Sequence, residues 1–391
     1  MSVGGAAGGG LLAGKAKIAV AALVVVGGGG AAYAATGGDI PFVGGSNGMI
    51  DTVPEDVDLV MYVDPGIADD DATNALLDEL GAISGTTDTE DVDPTARFED
   101  ETDLNYDDLS SVVVFGQYPD EGTTAGMGGF SGASYSGALI ESSWAEEDFV
   151  EAMENAPSGD ASTVYEEEEY EGYTVYVQKP GEDDIDDFLQ DTENPTWVGV
   201  IGNGNYVVGT EDAVKDALDV DAGEEDSFSG DLRSAYDDTR DGLVKFASAV
   251  PEEQVGSGMG SQSAENVDYV AGSYYSAGSS TVGMEVRMVT GDADDAENII
   301  AQIDGGIASV EESVDDEDVQ ALLDSVETSQ SGSTAVVTFE AETSVIADGV
   351  EAISRSFMGG FGASASGGFS SSLAGPTGAY GDIEAPRAAP A

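Results

Sequence analysis

The chain is expected to fold as an α+β protein, with mainly antiparallel sheets, helices packed on one face, and two related halves. Three observations predict this class. Several neighbouring apolar runs are joined by short hairpin-type turns, helical stripes interrupt them irregularly rather than in strict strand–helix alternation, and 41% of the 391 residues are hydrophobic, enough for an ordinary core.

The first element is a 21-residue stretch without a charge, Ile18 to Gly38, preceded by Lys15 and Lys17. Positive charge ahead of an apolar run, then small residues ending in Ala32-Tyr33-Ala34, fits a secretory signal cleaved near Ala34. Its length also fits a single membrane span, since roughly 20 helical residues cross a bilayer core. The reading favours a retained single-pass anchor, with 1–17 cytoplasmic, 18–38 in the membrane and the body outside, over secretion after cleavage. A tether over 39–52 follows.

The body opens with a strand over Val57–Val63 and a helix that begins among Asp69, Asp70 and Asp71 and carries Ala75, Leu76, Leu77 and Leu80. Strands over Ser111–Phe115 and Ser136–Ile140 flank a Gly-rich loop. A helix over Ala145–Asn155 then presents Phe149, Val150 and Met153 on one face. Strands at Ser162–Tyr165 and Tyr173–Val177 are joined by Glu166 to Glu169, expected at a solvated hairpin tip. Asn203-Gly204 between Trp197–Ile201 and Tyr206–Val208 is the dipeptide of a tight type I′ hairpin, and Thr210 then caps a helix bearing Val214, Ala217 and Leu218.

A polar Gly/Ser-rich stretch, Pro251 to Ala264, marks a boundary between a first domain, 53–250, and a second, 251–357. Strands over Val267–Tyr275 and Thr281–Met288 pair there through Ala277-Gly278. Ile299, Ile300, Ile303, Ile307, Val310 and Val314 then define a long helix softened at Gly305-Gly306. A strand at Ala335–Phe339 and a helix carrying Val345, Ile346, Val350, Ile353 and Phe357 complete the body, and 358–391 reads as a disordered Gly/Ser/Ala/Pro-rich tail. An echo of Val53–Asp64 in Val250–Gln254 and Glu265–Ser276 suggests that the halves are related.

Charge sets the surroundings. With 78 Asp and Glu against 11 Lys and Arg, the formal net charge is −67. Like charges repel over about 10 Å at about 0.1 M salt but over only about 3 Å at molar salt, so the composition reads as adaptation to brine, with hydrated cations as its standing partners. The same charge opposes nucleic-acid binding, because Lys and Arg supply phosphate affinity. No His and no Cys occur, which excludes Ser-His-Asp and Cys-His nucleophiles, His or Cys metal sites, and disulfides.

Few side chains point to chemistry. Asp64, Asp69 and Asp71, beside the end of the first strand, are the candidate metal ligands, and Asp292, Asp294 and Asp295 form a second acidic cluster. Neither matches a calcium-loop pattern, and at this acid content carboxylates cluster by chance. No catalytic residue and no cofactor is assigned. Arg233, Arg240 and Lys245 fall in one short segment and read as partners of neighbouring carboxylates rather than a recognition spot.

The order of the apolar segment, Val53-Pro54-Glu55-Asp56 leading into a strand that ends at Asp64, Tyr170-Glu171-Gly172-Tyr173, and Val208-Gly209-Thr210-Glu211-Asp212-Ala213-Val214 resembles a family of uncharacterised exported or membrane-anchored α+β domains of unknown function, in a haloarchaeal-type member. The resemblance covers roughly residues 50–360, implies a surface-exposed α+β protein, and transfers no site. Together these observations predict a non-enzymatic envelope protein of a halophile that binds or scaffolds, with an envelope protein of unknown identity as its expected partner. The competing readings are a hydrolase using carboxylates with a divalent cation, and a secreted solute-binding domain.

Overall fold

The computed structural model describes residues 47–84, 94–118, 135–155, 163–180, 195–250, 266–314 and 316–353. The expected anchor, the Gly-rich loop after 118, the boundary stretch 251–264, Phe357 and the tail lie outside these residues.

Twelve strands form one sheet, and every pairing in it is antiparallel. In chain order they are β1 (Leu59–Val63), β2 (Leu109–Gly116), β3 (Ser136–Ser142), β4 (Thr163–Tyr170), β5 (Tyr173–Pro180), β6 (Trp197–Gly202), β7 (Asn205–Gly209), β8 (Val244–Ala249), β9 (Val267–Gly278), β10 (Thr281–Thr290), β11 (Val326–Ser331) and β12 (Thr334–Glu342). Eight α-helices accompany them among the described residues: α1 (Asp71–Ser84), α2 (Pro94–Thr102), α3 (Glu146–Asn155), α4 (Glu211–Ala222), α5 (Gly230–Asp237), α6 (Ala293–Ser313), α7 (Glu317–Leu323) and α8 (343–353). The class is α+β.

Across the sheet the order is β11-β12-β10-β9-β8-β1-β2-β3-β7-β6-β5-β4. Outward from the β1–β8 pair, both directions read alike. One arm runs β1-β2-β3-β7-β6, the other β8-β9-β10-β12-β11, and in each a helix, α3 or α6, follows the third strand. The first arm alone carries the further hairpin β4–β5. This correspondence matches β1 with β8, whereas the sequence echo aligns β1 with the segment of β9. β8 pairs with β1 on one side and β9 on the other, so the sheet runs without a break from the first half of the chain into the second.

Helices were expected on one face and lie on both. The reason is the apolar run Val112 to Phe115, in which every side chain is buried: Val113 and Phe115 enter one cluster, while Val112 and Val114 enter another. A strand apolar on both sides needs cover on both sides. α4 (through Val214 and Leu218), α5 (through Leu232 and Tyr236) and the 3-10 turn Asn47–Thr52 cover the face of Val60, Val113 and Leu139. α2 and α3 cover the face of Val112 and Ile140, with Phe98, Phe149 and Met153, and α1 and α8 continue along that face against Val63, Val244 and Val282. α6 packs Ala296 and Ile299 on Val270 and Met288.

Three further expectations change. Glu166 to Glu169 stand in β4, paired with Val177 to Thr174 of β5, and the turn is Glu171-Gly172, both at positive φ. As the outermost strand, β4 can expose alternate side chains on either face, and four carboxylates discourage another strand from pairing there. Gly305-Gly306 do not interrupt α6, which stays helical over 21 residues. The expected tether folds from Asn47, with Met49 and Ile50 buried in the core.

Candidate functional site

The candidate metal ligands sit where β1 ends. Pro65 fixes the backbone for a 3-10 turn over Pro65–Asp69, and Asp64 caps it by accepting the Gly66 N–H on Oδ1 at 2.9 Å. The turn is fastened from outside by the Tyr106 hydroxyl, which donates to the Pro65 carbonyl at 2.8 Å. Asp70, 1% exposed, accepts the Thr73 N–H on Oδ2 at 3.1 Å and also the Thr73 hydroxyl, so it starts α1. Asp69 and Asp71 face solvent.

This geometry gives the acids structural work. Burial pushes the Asp64 carboxyl above its ordinary range against the opposing pull of the Gly66 amide, and burial does the same to Asp70 against Thr73. The second acidic cluster behaves alike: Asp292 caps α6 through the amides of Asp294 and Asp295, and Asp295 accepts from Asn266. Among the described residues no group of three or more acidic side chains is placed to hold a metal ion. Asp64, Asp69 and Asp71 are therefore neighbours in sequence whose carboxylates do not converge.

The other singled-out segment is drawn together by the β8–β9–β10 register. Lys245 stands opposite Tyr62 of β1 and Ser273 of β9, and Ser273 stands opposite Glu285 of β10. Lys245 is 6% exposed, with Nζ 3.0 Å from Asp241 and 4.7 Å from the Tyr236 ring centre. Arg233 bonds Asp237 and Asp51, each at about 3 Å. The Arg240 guanidinium lies 3.6 Å over the Tyr275 ring, and its amide donates to Glu285, which also pairs with Arg287 at 3.5 Å. Arg287 joins this set only through strand pairing, and sequence spacing gives no sign of it. Ser273 Oγ and Arg287 Nε, both buried, have no partner among the described residues.

A third feature escaped the sequence reading altogether. Four tyrosine hydroxyls donate to carboxylates of the covering helices: Tyr135 to Asp216 at 2.9 Å, Tyr170 to Asp219 at 2.8 Å, Tyr173 to Asp221 at 2.7 Å and Tyr176 to Glu146 at 2.7 Å. With few cations available, tyrosine supplies the donor that Lys or Arg would otherwise provide. Burial, and then the bonded carboxylate, hold the Tyr170 and Tyr173 hydroxyls up at about 12. The raised values keep these hydroxyls in the protonated, donating form near neutral pH.

Fold and site together define an α+β protein on a single antiparallel sheet, in which Asp64, Asp70 and Asp292 cap turns and helices and Lys245 and Arg287 stand on the inner strands β8 and β10. No family model, no curated protein and no solved structure matches the chain. Among the described residues no helix is long and apolar enough to cross a membrane.

Proposed function

We propose that this is a non-enzymatic extracytoplasmic protein of a halophile, held to the membrane by residues 18–38 with its body outside, and acting by binding or scaffolding in the envelope. The observation that carries the reading is the combination of a net charge of −67 with an extensive apolar core. Such a surface stays hydrated in brine, where hydrated cations screen its self-repulsion. The acids best placed for chemistry serve instead as caps, which favours a structural role over a carboxylate-based hydrolase.

The mirrored order of strands about β1 and β8 supports two related halves, with the β4–β5 hairpin as an addition to the first. The resemblance to exported α+β domains supports the extracytoplasmic placement.

The test is N-terminal peptide mass spectrometry on membrane and culture-supernatant fractions of cells grown in high salt. Peptides that begin before Ala34 in the membrane fraction are expected. A new N-terminus at Ala35 in the supernatant would make the protein freely secreted and end the anchored reading.

A further inference from the structure

The two ends of the sheet are built differently. At one end β4 presents Glu166 to Glu169, four carboxylates in succession. At the other, β11 reads Val-Glu-Thr-Ser-Gln-Ser, with one carboxylate, no lysine and no proline. Natural sheets block their edges with charge or proline, and β11 has almost neither.

The correspondence of the two arms sharpens the contrast. β6 and β11 occupy equivalent places, and the outer side of β6 is filled by β5, through Val175 opposite Gly199, Tyr176 opposite Val198 and Val177 opposite Trp197. Among the described residues nothing pairs with the outer side of β11.

Register shows which groups face outward. The Ser325 carbonyl accepts the Glu340 N–H at 3.2 Å, and the ladder with β12 continues from Val326 opposite Phe339 to Ser331 opposite Thr334. Bonding direction alternates along an antiparallel strand, so 327, 329 and 331 bond β12, whereas the N–H and C=O groups of Val326, Thr328 and Gln330 point outward. The strand is tied to α6. The Thr328 hydroxyl donates to Asp304 of α6 at 2.7 Å, and the Gln330 amide donates to the Ala293 carbonyl at 2.7 Å. An ordered edge loses little freedom when a partner arrives.

We propose that this edge receives the same strand of a second copy, so that two sheets join antiparallel through β11 about a two-fold axis at Thr328. In that register Thr328 faces Thr328 of the second copy, Val326 faces Gln330, and Glu327 faces Ser329. The outward groups of all three outward-facing residues are paired in both copies, Thr meets Thr, and no like charges stand opposite each other. Self-repulsion of two chains at −67 each confines this pairing to high salt. It does not depend on the membrane reading.

The experiment measures the protein mass of the full chain, N-terminal segment included and in detergent, by light scattering over a range of salt and protein concentration. A dimer that forms in brine and weakens as salt falls is expected. Thr328→Pro removes an outward N–H without touching the β12 ladder, and abolishes the dimer. Ser329→Glu sets a carboxylate against Glu327 twice over, and at the lowest salt that keeps the chain folded weakens the dimer about tenfold, while Ser329→Lys strengthens it. Both side chains project into solvent, so these two variants fold even where the proline variant does not. A monomer at every salt overturns the proposal, as does a dimer indifferent to both Ser329 changes. A monomer whose Val326, Thr328 and Gln330 amides resist hydrogen exchange overturns it too, and assigns the edge to another segment of the chain.

Discussion

Tyr62 stands opposite Lys245 across the β1–β8 pair, at the centre from which the strand order reads alike in both directions. A charged ammonium in so central a place is held by Asp241 at 3.0 Å and by the face of Tyr236. Asp241 is largely exposed, its side chain at 62%, so losing Lys245 leaves no buried charge behind. Lys245→Met is therefore expected to cost no more than about 1.5 kcal/mol, and Lys245→Glu, which buries a carboxylate beside Asp241, about 3–5 kcal/mol. Urea unfolding of the two variants in the same brine checks the difference.

Asp70 gives a pH signature. Its carboxyl is raised by burial, so the native state keeps the proton longer than the unfolded chain, whose Asp titrates near about 3.9. Protons bound in the native state exceed those in the unfolded state inside that window, and the stability this group contributes is lost as pH rises from about 4 through the raised native value. Asp70→Asn keeps an acceptor for the Thr73 N–H but cannot ionise. The stability of the natural chain relative to Asp70→Asn should fall as pH rises above about 4, and a difference that stays constant with pH would refute the desolvation.

Tyr135 and Asp216 test the use of tyrosine as a cation substitute. Their bond, 2.9 Å long, opposes the upward push of burial on the Asp216 carboxyl. Tyr135→Phe leaves that carboxylate without its donor and is expected to cost about 1–2 kcal/mol. In Asp216→Asn the same tyrosine change should cost less, and a double-mutant cycle with no coupling would show the contact to be idle.

Much of this fold is legible in the sequence because local signals act alone there. Asn203-Gly204 forms the turn between β6 and β7 with both residues at positive φ, as a type I′ turn demands. Ala213, Val214, Ala217 and Leu218 of α4 are all fully buried, as their spacing requires. β8 and β11 were invisible for a physical reason. Val-Lys-Phe-Ala-Ser-Ala contains a lysine whose partners are supplied by the preceding helix and loop, and Val-Glu-Thr-Ser-Gln-Ser has no apolar alternation because Val326 is its one apolar residue. The acids told less than their number suggests. Asp64 and Asp69 are close in sequence, yet a turn begun by Pro65 directs one inward and the other to water, and only coordinates reveal that.

The acidic body is a stable sheet only where salt screens its self-repulsion. Circular dichroism with thermal unfolding at about 0.1 M and about 3 M KCl tests it most directly. A folded protein with a sharp transition in brine is expected, with a midpoint that falls or vanishes in dilute salt. A midpoint indifferent to salt, or highest in dilute buffer, would contradict it.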